Sequence, residues 1–82
     1  MRLDKYLKVS RIIKRRVIAK ECVDRGLVIL NDKVAKASSL LNVGDTLTIS
    51  IKNKTYVYCI DNVFEYATEE KAKLMYTLLE VK

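Results

Sequence analysis

Hydrophobic positions in the first third of the chain recur at helical spacing. In MRLDKYLKVS, Leu3 and Leu7 lie four residues apart with Tyr6 beside them, and the basic residues fall on the opposite side of a helical wheel. A second helix is predicted to begin between residues 13 and 15 and to end at Gly26, because glycine suits the left-handed position beyond a helix end. The core face of this helix is expected to carry Ile18, Ala19, Cys22 and Val23.

After Gly26 the hydrophobic period changes to that of β-strands. The segments LVIL and KVA flank Asn31-Asp32, and the alternating segments TLTISIK and KTYVYCI flank a predicted turn at Asn53-Lys54. The Gly44-Asp45 pair marks a further turn in the intervening loop. The middle of the chain is therefore predicted to form a small antiparallel sheet.

The last segment, TEEKAKLMYTLLEVK, predicts a C-terminal helix over about residues 69–80, with Thr68 as its N-cap. The apolar stripe of this helix is expected to comprise Ala72, Met75, Leu78 and Leu79. No repeat, low-complexity segment or linker interrupts the chain. We therefore expect one α+β domain over residues 1–82, with two N-terminal helices packed on a small antiparallel sheet.

Charge is distributed unevenly along the chain. The formal net charge is +6, and residues 1–25 hold nine basic and three acidic side chains, whereas residues 26–82 hold seven of each. A local excess of positive charge attracts polyanions, of which nucleic acid is the commonest and anionic lipid the next. Solubility alone is the simpler explanation, but the asymmetry favours polyanion binding.

The composition argues against independent catalysis and against a metal site or other cofactor. The chain has no histidine and two glycines, and its two cysteines, Cys22 and Cys59, are far apart in sequence. We expect both cysteines to be reduced, buried small hydrophobic residues. Because no transmembrane run or signal-peptide pattern is present, a cytoplasmic protein is expected.

The candidate binding surface is the outer side of the two predicted helices. It carries Arg2, Lys5, Lys8, Arg16 and Lys20. Arginine forms bidentate contacts with phosphate and lysine supplies a point charge, and neither reads sequence when it contacts the backbone. The tyrosines fall mostly at sheet or core positions, so structured RNA is favoured over an unpaired strand.

An ordered set of short motifs resembles the RNA-binding domain of the ribosomal protein S4 type. The set comprises RLDKYL at 2–7, Ser10, Arg16, Ala19, RGLVILND at 25–32, Lys36, Ser38-Ser39 and Gly44-Asp45. The resemblance covers about residues 1–51, the family core. It implies the fold described above, with RNA bound along the helical face.

Within that family the chain is similar to the short, stand-alone bacterial proteins of the RqcP (YabO) kind, relatives of the fifteen-kilodalton heat-shock protein. The segments MRLDKYLKVSRIIKRRVIAKE and AKLMYTLLE carry this similarity. It implies a factor of ribosome-associated quality control that binds stalled large ribosomal subunits through rRNA and peptidyl-tRNA, and we expect the protein to be a monomer. It also implies assistance to RqcH, which recruits alanyl-tRNA to add an alanine tail to the stalled chain.

The resemblance implies roles for individual basic residues. Arg2 and Arg16 match basic family positions and are expected to contact RNA, with Asp4 orienting one of them. Further phosphate contacts are expected from Lys5, Lys14, Arg15 and Lys20. Asp32 stands where the family usually has glycine, which predicts slight strain in that turn.

Three alternative functions remain open at this stage. The first alternative is a general large-subunit recycling factor of the heat-shock-protein kind. The second is an accessory RNA-binding domain of an RNA-modifying enzyme. The third, binding to a membrane surface, is disfavoured because it requires lipid binding that persists in the presence of competing RNA.

Overall fold

The computed structural model describes residues 1–82 and has three helices and five strands. In chain order these are α1 (Leu3–Val9), α2 (Arg16–Asp24), β1 (Val28–Leu30), β2 (Lys33–Val34), β3 (Thr46–Ile51), β4 (Lys54–Ile60), α3 (Glu69–Ala72) and β5 (Tyr76–Val81). The strands form one sheet in the order β2-β1-β3-β4-β5, with every neighbouring pair antiparallel. The α+β class is therefore confirmed. None of the helices has the length and apolar character required to cross a membrane.

The core lies between the two N-terminal helices and one face of the sheet. Helix α1 buries Leu3, Tyr6 and Leu7 completely, and β3 contributes the buried Leu47 and Ile49 to the same cluster. The spacing of these residues follows the helical and strand periods of their elements. The outer side of α1 is consequently left for its basic residues.

The link between α1 and α2 folds the chain back along α1. Arg11 adopts a left-handed conformation with φ 62°, which costs a non-glycine residue about 1 kcal/mol. Beyond it, the Ile13 side chain is buried, and the Ile13 amide donates to the carbonyl of Leu7 over 3.2 Å. This reversal brings the start of α2 close to the start of α1.

Helix α2 ends as predicted but buries a narrower face. Gly26 has φ 72°, the left-handed conformation that favours glycine beyond a helix end. Ala19 and Val23 are buried, but Ile18 is 44% exposed. The expectation that Ile18 lies in the core is wrong, because its side chain lines a surface cleft together with Cys22 and Ile51 and does not join the buried cluster.

Two hairpin turns have the geometry of type I′. Asn31 and Asp32 have φ of 50° and 68°, as the sequence predicts. In the second hairpin the left-handed residues are Lys52 and Asn53, so the turn predicted at Asn53-Lys54 is displaced by one residue. Because Ile51 pairs with Lys54, only the two residues between them remain to form the turn.

The C-terminal helix expected over residues 69–80 is wrong beyond its first turn. Helix α3 spans four residues, capped by Thr68 Oγ1, which accepts from the Lys71 amide over 3.3 Å. The chain then forms β5, which pairs with the outer edge of β4. Pairing satisfies backbone groups along that edge, and Tyr76, Thr77 and Val81 suit a strand. Tertiary pairing therefore overrides the local helical pattern.

Only two of the four residues in the apolar stripe predicted for this helix are buried, because the other two lie in β5. Ala72 and Met75 are buried, whereas Leu78 and Leu79 are 47% and 58% exposed. Met75 lies just before β5 and packs into the core, while β5 itself forms an edge of the sheet. The expectation that all four residues share one buried face is therefore wrong.

Candidate nucleic-acid interface

A basic groove of about 660 Å³ lies between α1, the α1–α2 link, the start of α2 and the loop that precedes α3. Its basic residues are Arg2, Lys5, Lys8, Arg11, Lys14 and Arg16. The other lining residues are Asp4, Val9, Glu65, Tyr66 and Ala67. With six cations against two carboxylates, the groove is suited to a polyanion.

A buried carboxylate joins the two arginines at one end of the groove. Asp4 accepts two hydrogen bonds from Arg2, from Nε over 3.2 Å and from Nη2 over 3.3 Å, and one from the Lys5 amide over 2.9 Å. Arg16 Nη2 lies 3.9 Å from Asp4 Oδ2. Both arginine side chains remain mostly exposed, so each guanidinium keeps donors free for a phosphate.

The backbone at the start of α1 is held by the long loop between β2 and β3. The amide of Leu3 donates to the Ser39 carbonyl over 2.8 Å, and the amide of Asp4 donates to the Ala37 carbonyl over 3.2 Å. The first amides of a helix have no partner within the helix, so these carbonyls replace a side-chain cap. The loop thereby fixes the direction in which Arg2 and Asp4 leave the helix.

Lys5 is tied to the loop on the opposite side of the groove. Its Nζ donates to Glu65 Oε2 and lies 5.7 Å from the centre of the Tyr66 ring. The hydrogen bond to Glu65 raises the pKa of Lys5 and lowers the pKa of Glu65, so both groups are charged near neutrality. This ion pair partly neutralises the groove at that point.

The residues predicted to bind RNA divide into two groups. Arg2, Lys5, Lys14 and Arg16 line the groove together with Asp4, whereas Arg15 and Lys20 are exposed outside its lining. Arg15 occupies the N-cap position of α2, whose first turn lacks a side-chain cap. Lys20 follows Arg16 by one helical turn, so it extends the positive surface along α2.

Three charged or aromatic residues of the groove lie outside the set predicted to bind RNA. Arg11 enters the groove through the left-handed link, which no glycine or turn motif marks. Glu65 and Tyr66 come from a loop about sixty positions away in sequence from the residues they face. Local charge would have flagged Arg11, but nothing in the periodicity places Glu65 or Tyr66 here.

Comparisons with known proteins agree with this architecture. The S4 domain family model matches residues 1–47. The RQC P-site tRNA stabilizing factor of Bacillus subtilis (strain 168) is 45% identical over 80 residues, which cover 98% of this chain and 93% of the relative. The protein of the same name from Halalkalibacterium halodurans is 48% identical over 82 residues, covering 100% of this chain and 90% of the relative.

Solved structures share the fold over nearly the whole chain. The trimeric structure of heat shock protein 15 from Vibrio cholerae has a TM-score of 0.87 at 26% identity, and covers 96% of this chain and 81% of that one. The solution structure of the hypothetical protein HP1423 has a TM-score of 0.83 at 29% identity, covering 98% of both chains. The chain belongs to the S4 domain family and, within it, to the family of the RQC P-site tRNA stabilizing factors.

Proposed function

We propose that this protein is an RNA-binding factor of ribosome-associated quality control that stabilises tRNA on stalled large ribosomal subunits. The observation that carries the proposal is the basic groove, in which Asp4 lies between the exposed guanidinium groups of Arg2 and Arg16. Sequence identity of 45% and 48%, over nearly the whole chain, to proteins named RQC P-site tRNA stabilizing factor supports the same role. The target is a large subunit that carries peptidyl-tRNA, contacted through both rRNA and tRNA.

The proposed mechanism is geometric rather than catalytic. Two RNA backbones that approach each other repel, and a fixed row of cations between them neutralises phosphates on both sides. Because Asp4 restrains Arg2 and Arg16, less side-chain entropy is lost when a phosphate binds. In this proposal the protein holds the tRNA in the position that lets RqcH deliver alanyl-tRNA for alanine tailing. It would act as a monomer in the cytoplasm and without a cofactor.

The double variant Arg2→Ala/Arg16→Ala tests the surface. It removes both guanidinium groups, so we expect the protein to be lost from large subunits carrying peptidyl-tRNA in a co-sedimentation assay. The variant should lose some stability, because buried Asp4 keeps only the Lys5 amide as a partner of its side chain, but the fold should persist because the start of α1 keeps its backbone hydrogen bonds. Circular dichroism checks the fold. Co-sedimentation equal to that of the parent would show that the groove is not the binding surface.

Two further variants distinguish geometry from net charge. Lys54→Ala/Lys73→Ala removes the same amount of charge from exposed residues outside the groove and should bind nearly as the parent does. Arg2→Lys/Arg16→Lys keeps the charge but loses the bidentate geometry, so its binding should fall between the parent and the double alanine variant.

General recycling of large subunits is a second candidate function. It is supported by the recycling role that the sequence resemblance implies for proteins of the heat-shock kind, together with the fold shared with heat shock protein 15 at a TM-score of 0.87. Gene deletion followed by probing of stalled nascent chains for alanine tails separates the two functions. Loss of the tails is expected for the first proposal, and unchanged tails with slower subunit recycling would favour the second.

A further inference from the structure

Tyr66 is the most exposed of the large hydrophobic side chains, at 88%. Isolated exposed hydrophobic residues are common and need no explanation. Tyr66 differs from the others in its position, because it lies at the wall of the basic groove, opposite α1. An aromatic face beside a row of phosphate-binding cations is the arrangement with which proteins hold an unstacked nucleobase.

The loop that carries Tyr66 is anchored on both sides. At its start, the amides of Asp61 and Asn62 donate to the carbonyl of Met75 over 2.8 Å and 3.2 Å. The side-chain amide of Asn62 also donates to the Leu74 carbonyl over 2.7 Å. Phe64 and Ala67, on either side of the exposed pair at 65 and 66, pack against the core. These anchors hold the loop against the body of the protein.

Lys5 lies over one face of the ring. The Lys5 ammonium lies over the Tyr66 ring at 5.7 Å from its centre and also donates to Glu65 Oε2. A cation over an aromatic face restrains the ring, yet at 88% exposure the ring stays open to solvent. The tyrosine is thereby presented to a ligand at a low cost in conformational entropy.

We propose that Tyr66 stacks on an unpaired nucleobase of the RNA whose phosphates occupy the basic groove. This inference rests on the proposed function and deepens it, because it defines the ligand as a structured RNA with an extruded or loop base beside the contacted backbone. Phosphate contacts alone do not discriminate such a site from a continuous duplex, whereas a stacking platform does.

The first test compares Tyr66→Leu with Tyr66→Phe on large subunits carrying peptidyl-tRNA. Leucine keeps an apolar side chain without the aromatic face, so its Kd should rise about 5- to 150-fold, the range of one lost stacking contact. Phenylalanine should bind within about twofold of the parent, because it keeps the aromatic face. The slope of log K against log salt should not change for either variant, since no phosphate contact is lost.

The second test uses fluorescence, because the chain contains no tryptophan. Tyr66→Trp introduces a single reporter in the groove, and Leu79→Trp places a matched reporter on β5, outside it. The probes are two RNA hairpins with the same stem, one with a purine loop and one with abasic loop sugars. Emission from the Tyr66→Trp variant should be quenched by the purine hairpin only, and emission from the Leu79→Trp variant by neither.

The outcomes separate this inference from the proposed function. If Tyr66→Leu binds as the parent does while the double arginine variant is released, stacking is refuted but the groove remains the proposed RNA-binding surface. Equal quenching by both hairpins would also refute it. If the double arginine variant binds like the parent, the groove is not the interface and both proposals fail.

Discussion

Asp4 is the single charged side chain among the buried residues, and its burial is balanced by three hydrogen bonds and the nearby Arg16. A buried carboxylate without such partners would be costly. Arg2 and Arg16 therefore stabilise the fold locally while they present their outer donors to a ligand. At the scale of single residues, structure and proposed binding depend on the same ion-pair network.

Glu65 is the second carboxylate in the groove, but it opposes RNA binding. Replacing it by glutamine removes a negative charge and frees Lys5 for a phosphate. We expect Glu65→Gln to bind RNA more tightly than the parent and to steepen the slope of log K against log salt by up to about one unit. Fluorescence anisotropy with a labelled RNA hairpin at several salt concentrations measures both quantities.

The control is Glu80→Gln, which removes a carboxylate paired with Lys82 at 3.9 Å on β5, outside the groove. Its salt slope should equal that of the parent. An unchanged slope in Glu65→Gln would show that Lys5 does not reach the RNA.

The ion pair between Lys5 and Glu65 also depends on pH. The pKa of Glu65 is lowered in the folded protein, so the pair is present above the ordinary pKa of a glutamate and is lost as pH falls through the lowered pKa.

At the scale of elements, the segment just before β5 connects distant parts of the chain through the backbone carbonyl of Met75. Tyr6 Oη donates to the Met75 carbonyl over 2.6 Å, and that carbonyl also accepts from the amides of Asp61 and Asn62. Burial raises the pKa of the Tyr6 hydroxyl above its ordinary value, so the group remains a donor into the alkaline range. The segment before β5 thus joins α1 to the loop that carries Tyr66.

A pair of alanine substitutions tests this description of the C-terminal segment. Met75→Ala should lower the free energy of unfolding by about 2–5 kcal/mol because it leaves a cavity in the core, whereas Leu79→Ala should change it by less than about 0.5 kcal/mol. Urea unfolding followed by circular dichroism measures both. A continuous helix with a buried stripe would make the two costs similar, so equal losses would contradict the strand.

At the scale of the whole molecule, the fold concentrates the excess charge on one side. All six groove cations come from residues 2–16, and the chain beyond residue 25 is balanced. The α1–α2 link brings the two helix starts together, so charges that are spread along the sequence act on one ligand. Such a cluster increases the rate of encounter with a polyanion as well as its affinity.

Salt dependence measures how many groove cations contact phosphate. If all six do so, the slope of log K against log salt should be about −4.2 to −5.4, and Lys8→Ala should flatten it by about 0.7–0.9. Lys33→Ala, on β2 outside the groove, is the matched control and should leave the slope unchanged. A slope near zero for the parent would mean that stacking or protein contacts, rather than phosphates, dominate binding.

Local sequence determined the elements whose stabilising patterns lie within a few residues. The buried face of α1 consists of Leu3, Tyr6 and Leu7, as their spacing predicts. Gly26 ends α2, and the pair Asn31-Asp32 forms the predicted turn between β1 and β2. The motif order also identified the family, which the family model confirms over residues 1–47. Helical and strand periods and left-handed turn preferences are short-range properties, so they can be read without knowledge of the fold.

Only the tertiary structure decided the features that depend on distant parts of the chain. The segment 76–81 has a pattern compatible with a helix, and the unpaired edge of β4 makes it a strand. Ile18 lines a surface cleft instead of joining the core, and Glu65 and Tyr66 join the groove through contacts with Lys5. Long-range hydrogen bonds and ion pairs have no local periodicity, so the composition of the groove emerges only when the chain folds.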